Sequence, residues 1–269
     1  MTVVAVLSMK GGVGKSTVAL GLASAAWARD LRTLVIDLDP QANASMALDV
    51  VAAPYSTSDV LADARPGVAA DAVVASGWGA SISVIAAERS LEHRSIPQGR
   101  NSALRLRTAL ATLPRSYELV VIDCPPSLGE LTRNALSAAD RAVVVTEPNH
   151  FALHGAAEAL EAIDVIAAAT NPGLRASTVV VNRFRPDDRE HRLNADRLAQ
   201  EHGGLVYDPP IPDCAGIPQS QRAVSPIHSW NSPGSREVAE LMDDLLDSLL
   251  PPRRPAPRGP QFSLRRYLP

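Results

Sequence analysis

The chain has 269 residues, 46% of them hydrophobic, and a formal net charge of −3. That supplies the core of one large α/β domain and excludes a polycation, so any nucleic-acid contact needs a local patch. Two widely separated cysteines, Cys124 and Cys214, with no CxxC pair, argue against a disulfide framework, a zinc site and an iron–sulfur cluster, and they fit a reducing compartment.

The first predicted element, 3–7, is an apolar run with no positive charge before it and Lys10 soon after. It reads as a buried strand and not as a signal peptide. Short β-branched runs follow at 33–36, 82–85, 119–122, 142–145 and 178–181, as expected for strands buried on both faces of a parallel sheet. Helices are predicted at 16–29, 103–113, 128–138, 153–169 and 194–201. A last helix at 236–249 carries an apolar stripe from Val238 to Leu249. The alternation predicts an α/β fold: a single doubly wound, mostly parallel sheet of P-loop NTPase type, with helices on both faces and one domain over 1–250. The Ala/Gly/Ser-rich stretch 49–81 reads as short helices with loops. Residues 251–269 are dense in proline and carry five arginines and no acid, which predicts a disordered tail. No run approaches the roughly 18–20 apolar residues that cross a bilayer.

Between the first strand and the first helix lies Lys10-Gly11-Gly12-Val13-Gly14-Lys15-Ser16-Thr17. Glycines let backbone N–H groups turn inward around phosphates, and the helix start adds its positive dipole end. Lys15 is placed to reach the β- and γ-phosphates of ATP, and the Ser16 hydroxyl to bind Mg²⁺. The standard pattern wants glycine at position 9, where Met9 stands, and Lys10 precedes the glycine pair instead. The chain has 24 arginines and only two lysines, both in this motif. A site that keeps lysine against such a bias needs its slim, flexible point charge.

Two later strands end in carboxylates, Asp37-Leu38-Asp39-Pro40-Gln41 and Ile122-Asp123. Ligands of open α/β sheets sit beyond the carboxyl ends of the strands. Asp123 therefore reads as the group beside Mg²⁺, and Asp39 as the one that orients or activates water at the γ-phosphate. Asp37 is a further candidate at the metal, directly or one shell behind it. Strand-end aspartates also cap turns, and that reading stays open for each.

These motifs resemble the ParA/MinD group of deviant-Walker ATPases, and ParA/Soj partition ATPases in particular. The likeness rests on M-K-G-G-V-G-K-S-T at 9–17, D-L-D-P-Q-A-N-A-S at 37–45, V-I-D-C-P-P-S-L-G at 121–129, N-A-L-S-A-A-D at 134–140 and the Glu147–Gly155 stretch. The resemblance implies that Lys10 reaches the nucleotide of a facing subunit in an ATP-driven homodimer, as an arginine finger does. It places Asp39 and Asp123 in two switches, and Asn182, Pro212 and Asp213 around adenine. It also implies slow hydrolysis stimulated by a ParB-like partner, ATP-dependent DNA binding without sequence preference, and cargo or chromosome and plasmid partition at a cytoplasmic, nucleoid-associated location. A MinD-like membrane-associated ATPase is the alternative; Phe262, Leu264, Tyr267 and Leu268 in the tail offer too few residues for strong anchoring, so a membrane partner is not expected. Ile211-Pro212 is followed by Asp213, Cys214, Ala215 and Gly216, where short partition ATPases carry arginines. Arg183, Arg185, Arg189, Arg192 and Arg222 are substitute DNA contacts, or else a solvated charged face interleaved with Asp187, Asp188 and Glu190.

Overall fold

A computed structural model describes residues 1–50, 52–114 and 116–251. The strands are β1 (Thr2–Leu7), β2 (Thr33–Asp37), β3 (Val74–Ser76), β4 (Gly79–Ile85), β5 (Leu119–Asp123), β6 (Arg141–Thr146) and β7 (Arg175–Val181). The helices are α1 (Lys15–Ala28), α2 (Asn43–Ala47), α3 (Thr57–Asp63), α4 (Val68–Asp71), α5 (Arg105–Leu110), α6 (Glu130–Ala138), α7 (His150–Ala169), α8 (Arg189–His202), α9 (Gly216–Arg222) and α10 (Ser235–Leu249). One sheet in the order β3-β4-β2-β5-β1-β6-β7 holds all seven strands, and only the β3–β4 pair is antiparallel.

Alternate residues of each central strand feed opposite cores, which is why their sequences read as unbroken apolar runs. Val3, Ala5 and Leu7 of β1 pack with Val120 and Ile122 of β5 and with Leu106, Leu131, Ala135 and Ile163 from α5, α6 and α7. Val4 and Val6 pack the other way, with Val18 and Leu22 of α1 and Met242 and Leu245 of α10. Helix α1 is buried almost all round between the sheet and α10, which explains its small residues. A Cβ on Gly21 would lie 2.4 Å from the Met242 sulfur. Arg29 at the end of α1 clamps the pair, with Nε 3.0 Å from Asp243 Oδ1 and its fork on Asp247.

All six predicted strands are present. The stretch 49–81 holds α3 and α4, as expected of short helices, but also β3. That strand has three residues with a register shift inside it, too short to leave an alternating pattern. The predicted 103–113 helix is a 3₁₀ turn, Ser102–Leu104, followed by α5. Helix α8 starts five residues earlier than predicted, because the Asp188 carboxylate accepts the N–H groups of Glu190 and His191 and starts it. Helix α9 was not anticipated. Beside β7 runs the 203–212 segment, whose Tyr207 and Ile211 N–H groups donate to Val179 and Val181 carbonyls at 2.9 and 2.8 Å. The predicted tail lies outside the described residues beyond Pro251. Among the described residues no helix is long and apolar enough to cross a membrane.

Candidate nucleotide-binding site

The glycine loop leaves β1 at the carboxyl edge of the sheet and enters α1. Gly12 and Gly14 have φ of 84° and 93°, the left-handed region that L side chains avoid. At Gly14 the space is also closed: an added Cβ would stand 2.1 Å from Asn182 Nδ2. Asn182 follows β7, and its amide donates to the Val13 carbonyl at 2.8 Å, bracing the loop from beneath. Its Oδ1 is buried without a partner. Helix α1 has no side-chain cap and no acid in its first turn, so its leading N–H groups and dipole are left for an anion.

Around this loop lies a cavity of about 670 Å³, of the size that holds a drug- or nucleotide-sized ligand. Gly11, Gly12, Gly14, Lys15, Ser16 and Thr17 line it, and Asp39 faces them. Val13 is buried below. Lys15 is buried at 6% exposure, whereas Lys10 is exposed and stands outside the cavity wall. The Lys10 carbonyl accepts the Ser8 hydroxyl at 2.7 Å, which fixes the backbone just ahead of the glycines.

The sheet register sets the carboxylates. Asp37 and Asp123 are paired neighbours at the ends of β2 and β5. Asp37 is fully buried and saturated with donors: the Asp39 N–H at 3.0 Å, and the Ser45 N–H and hydroxyl each at 2.8 Å. It ties the 39–45 segment to the sheet. Asp39 accepts the Gln41 N–H at 2.9 Å. Asp123 is the opposite case, fully buried with neither oxygen hydrogen-bonded.

Sequence reasoning missed part of the wall. Asn43, Met46 and Ala47 of α2 line it, and so do Gln221 and Val224 at the end of α9. The N-A-S run at 43–45 beside Asp39 was a usable signal for the first group; α9 gave none. Pro212 and Asp213 lie off the wall, in a segment tied to Phe184, whose N–H donates to the Ile211 carbonyl and whose carbonyl accepts the Asp213 N–H, each at 2.9 Å. Of the five arginines read as DNA contacts, Arg183 and Arg222 line the cavity. Arg183 is paired with Glu147 at 3.0 Å and Arg185 with Asp188 at 3.0 Å; Arg192 donates to the Pro186 carbonyl, and Arg189 opens α8.

The family model described as AAA domain matches residues 1–176. Over 257 residues the chain is 34% identical to the chromosome partitioning protein ParA of Caulobacter vibrioides, with 91% of this chain and 94% of that one covered. The chain belongs to the ParA/Soj family of P-loop ATPases. It is also 30% identical over 246 residues to the sporulation initiation inhibitor Soj of Bacillus subtilis, covering 90% and 95% of the two chains. Among solved structures, a cobyrinic acid a,c-diamide synthase of Mycobacterium smegmatis with ADP and magnesium superimposes with a TM-score of 0.76 at 28% identity, over 95% of this chain and all of that one.

In this ParA-family site the electrostatics single out one carboxylate. Burial, then the neighbouring Asp37 charge, push Asp123 well above the usual carboxylate range; the nearby Ser16 hydroxyl and the Lys15 ammonium oppose the rise without reversing it. The Ser16 hydroxyl makes no hydrogen bond of normal geometry to it. Asp37 is pushed up to about 6 by burial, despite its donors. A buried carboxylate left without donors beside a serine hydroxyl is a set of hard oxygen ligands lacking a charge, and a divalent cation such as Mg²⁺ fits it.

Proposed function

We propose that this protein binds ATP with Mg²⁺, forms a face-to-face homodimer in that state and hydrolyses ATP slowly under the stimulus of a ParB-like partner. The dimer partitions chromosomes or plasmids, or positions another cargo, by holding DNA without sequence preference in a cytoplasmic, nucleoid-associated cycle. Loop amides and Lys15 hold the phosphates; Ser16 and Asp123 hold the cation, which neutralises phosphate charge when bound. Asp39 holds the attacking water, and Asp37 keeps the Asp39 segment in place through Ser45.

The observation that carries this reading is Lys10. In a chain that uses arginine everywhere else, one lysine serves its own cavity, and the other stands exposed at the lip, outside that cavity. A charge so placed is suited to the phosphates of a facing copy. Sedimentation velocity with a non-hydrolysable ATP analogue tests it. Lys15→Ala is expected to lose nucleotide, and Lys10→Ala to keep nucleotide but remain a monomer. Dimerisation of Lys10→Ala at wild-type strength refutes the facing-copy role. The DNA arm is separate: an Asp39→Ala dimer that ignores DNA at low salt removes it, and ATP-dependent sedimentation with liposomes would put a MinD-like activity in its place.

A further inference from the structure

We propose that Arg222 is a nucleotide-binding residue, which grips the α-phosphate and ribose of the nucleotide held by its own protomer. This rests on the ATP-binding reading above and takes Arg222 out of the set of DNA contacts.

Position comes first. The cavity wall includes Gly11, Lys15, Ser16 and Asp39, the groups that serve the terminal phosphates, and continues with Thr17 and Leu20, the next turn of α1, and with Gln221, Arg222 and Val224. Thr17, Leu20 and Gln221 are neighbours, since they also line one small adjoining cavity together. A P-loop wraps its amides around the β-phosphate and aims its lysine at the β- and γ-phosphates. That leaves the α-phosphate and sugar for the part of the wall built by the end of α9.

Charge comes next. Arg183, the other guanidinium on the wall, is already matched by Glu147 at 3.0 Å. Among the described residues no carboxylate lies within ion-pairing distance of Arg222. It is an exposed cation without a counter-charge, on the rim of a cavity built for a polyanion.

The fold also fixes where Arg222 stands. Helix α9 ends immediately after it in a tight cap. The Val224 N–H donates to the Gln221 carbonyl at 3.1 Å, and the Ser225 N–H to the Ser220 carbonyl at 2.9 Å. This cap needs a left-handed residue, usually glycine, yet Val224 fills it at φ 51°. For a β-branched residue that is a real outlier, tolerated only where surrounding contacts enforce it. The enforcing contacts are visible: Val224 packs against the cluster of Leu20, Ala47 and Trp78, which joins α1, α2 and the β3–β4 hairpin. The end of α9 is thereby held against α1 and α2, both of which line the cavity.

Titration of the full chain with fluorescent ATP and ADP analogues, alongside DNA binding at several salt concentrations, tests the assignment. Arg222→Ala is expected to raise the Kd of both nucleotides by the same factor, about tenfold for one partly exposed charge-assisted contact. Their ratio stays fixed, because the contact is to the part they share. Arg222→Lys is expected to recover only part, since an ammonium lacks the planar fork. Unchanged nucleotide affinities with weakened, less salt-sensitive DNA binding would return Arg222 to a DNA track and overturn the proposal. A loss confined to ATP would place it at the γ-phosphate and overturn it as well. If the wild-type chain bound neither nucleotide, the ATP reading itself would fall, independently of Arg222.

Discussion

Replacing Asp123 by asparagine removes a charge that the apoprotein has no means of satisfying. The side chain is fully buried, neither oxygen finds a donor, and the Asp37 carboxylate sits beside it across the β2–β5 register. Burial and that neighbour raise the proton affinity of Asp123 more than Ser16 and Lys15 lower it, so the net effect of the charged form on the empty fold is unfavourable. Relief of an unsatisfied buried polar group is worth about 1–3 kcal/mol, less what the new amide itself lacks in partners. A gain of about 1–2 kcal/mol corresponds to roughly 2–8 °C for a domain of this size. Differential scanning calorimetry in a chelator, without nucleotide, is the assay. The variant is expected to melt above the wild type there and to reverse rank with nucleotide and Mg²⁺. Under those conditions the wild type gains about 2.7 kcal/mol at a hundred times Kd, while the variant cannot use the cation. An apo variant that melts below the wild type would refute the view that Asp123 is a carboxylate kept uncompensated for a cation.

Two further predictions concern stability and the loop. Gly14→Ala combines a left-handed backbone, worth about 1–2 kcal/mol for an L residue, with a Cβ 2.1 Å from Asn182 Nδ2. It should cost more than Gly12→Ala, where φ is also positive but nothing lies within 4 Å. Melting curves that rank the two the other way, or intact nucleotide binding in Gly14→Ala, would be inconsistent with Asn182 as the brace. His228 touches Ser24 Oγ through Nδ1 at 2.7 Å and lies 3.6 Å from Asp243, which also holds Arg29. Burial, against the pull of Asp243, holds its pKa below the ordinary 6.5. The folded state thus prefers the neutral ring: this stabilisation is present above pH 6.5 and is lost as pH falls through the lower folded value. The wild type should lose more melting temperature between pH 7.5 and 5.5 than His228→Gln, and equal losses would count against it.

The strands were legible because both faces of the sheet are covered, which leaves runs such as 119–122 with no polar interruption. The phosphate loop was legible because its chemistry is contiguous, from Lys10 to Thr17. What escaped was held by distant contacts. Asn182 reaches the Val13 carbonyl across 169 positions, and no local pattern announces that. Helix α9 includes Pro218 and lacks an apolar stripe, so Arg222 could be read only as a loose basic group. The polar opening of α8 concealed its true start, because Asp188 nucleates it by capping and not by packing. Asp37 read on paper as a group at the metal or one shell behind it; Ser45, eight residues on, occupies one of its oxygens with two donors, which no local pattern announces.

The two margins of the sheet bear on how this chain associates. A long bare outer strand would invite another polypeptide to add on and propagate into fibres. Here one rim is a three-residue antiparallel strand with a register shift, and the other is shielded by the 203–212 segment donating into β7. Strand addition is thereby closed off at both sides, so the homodimer proposed above must be built by another surface.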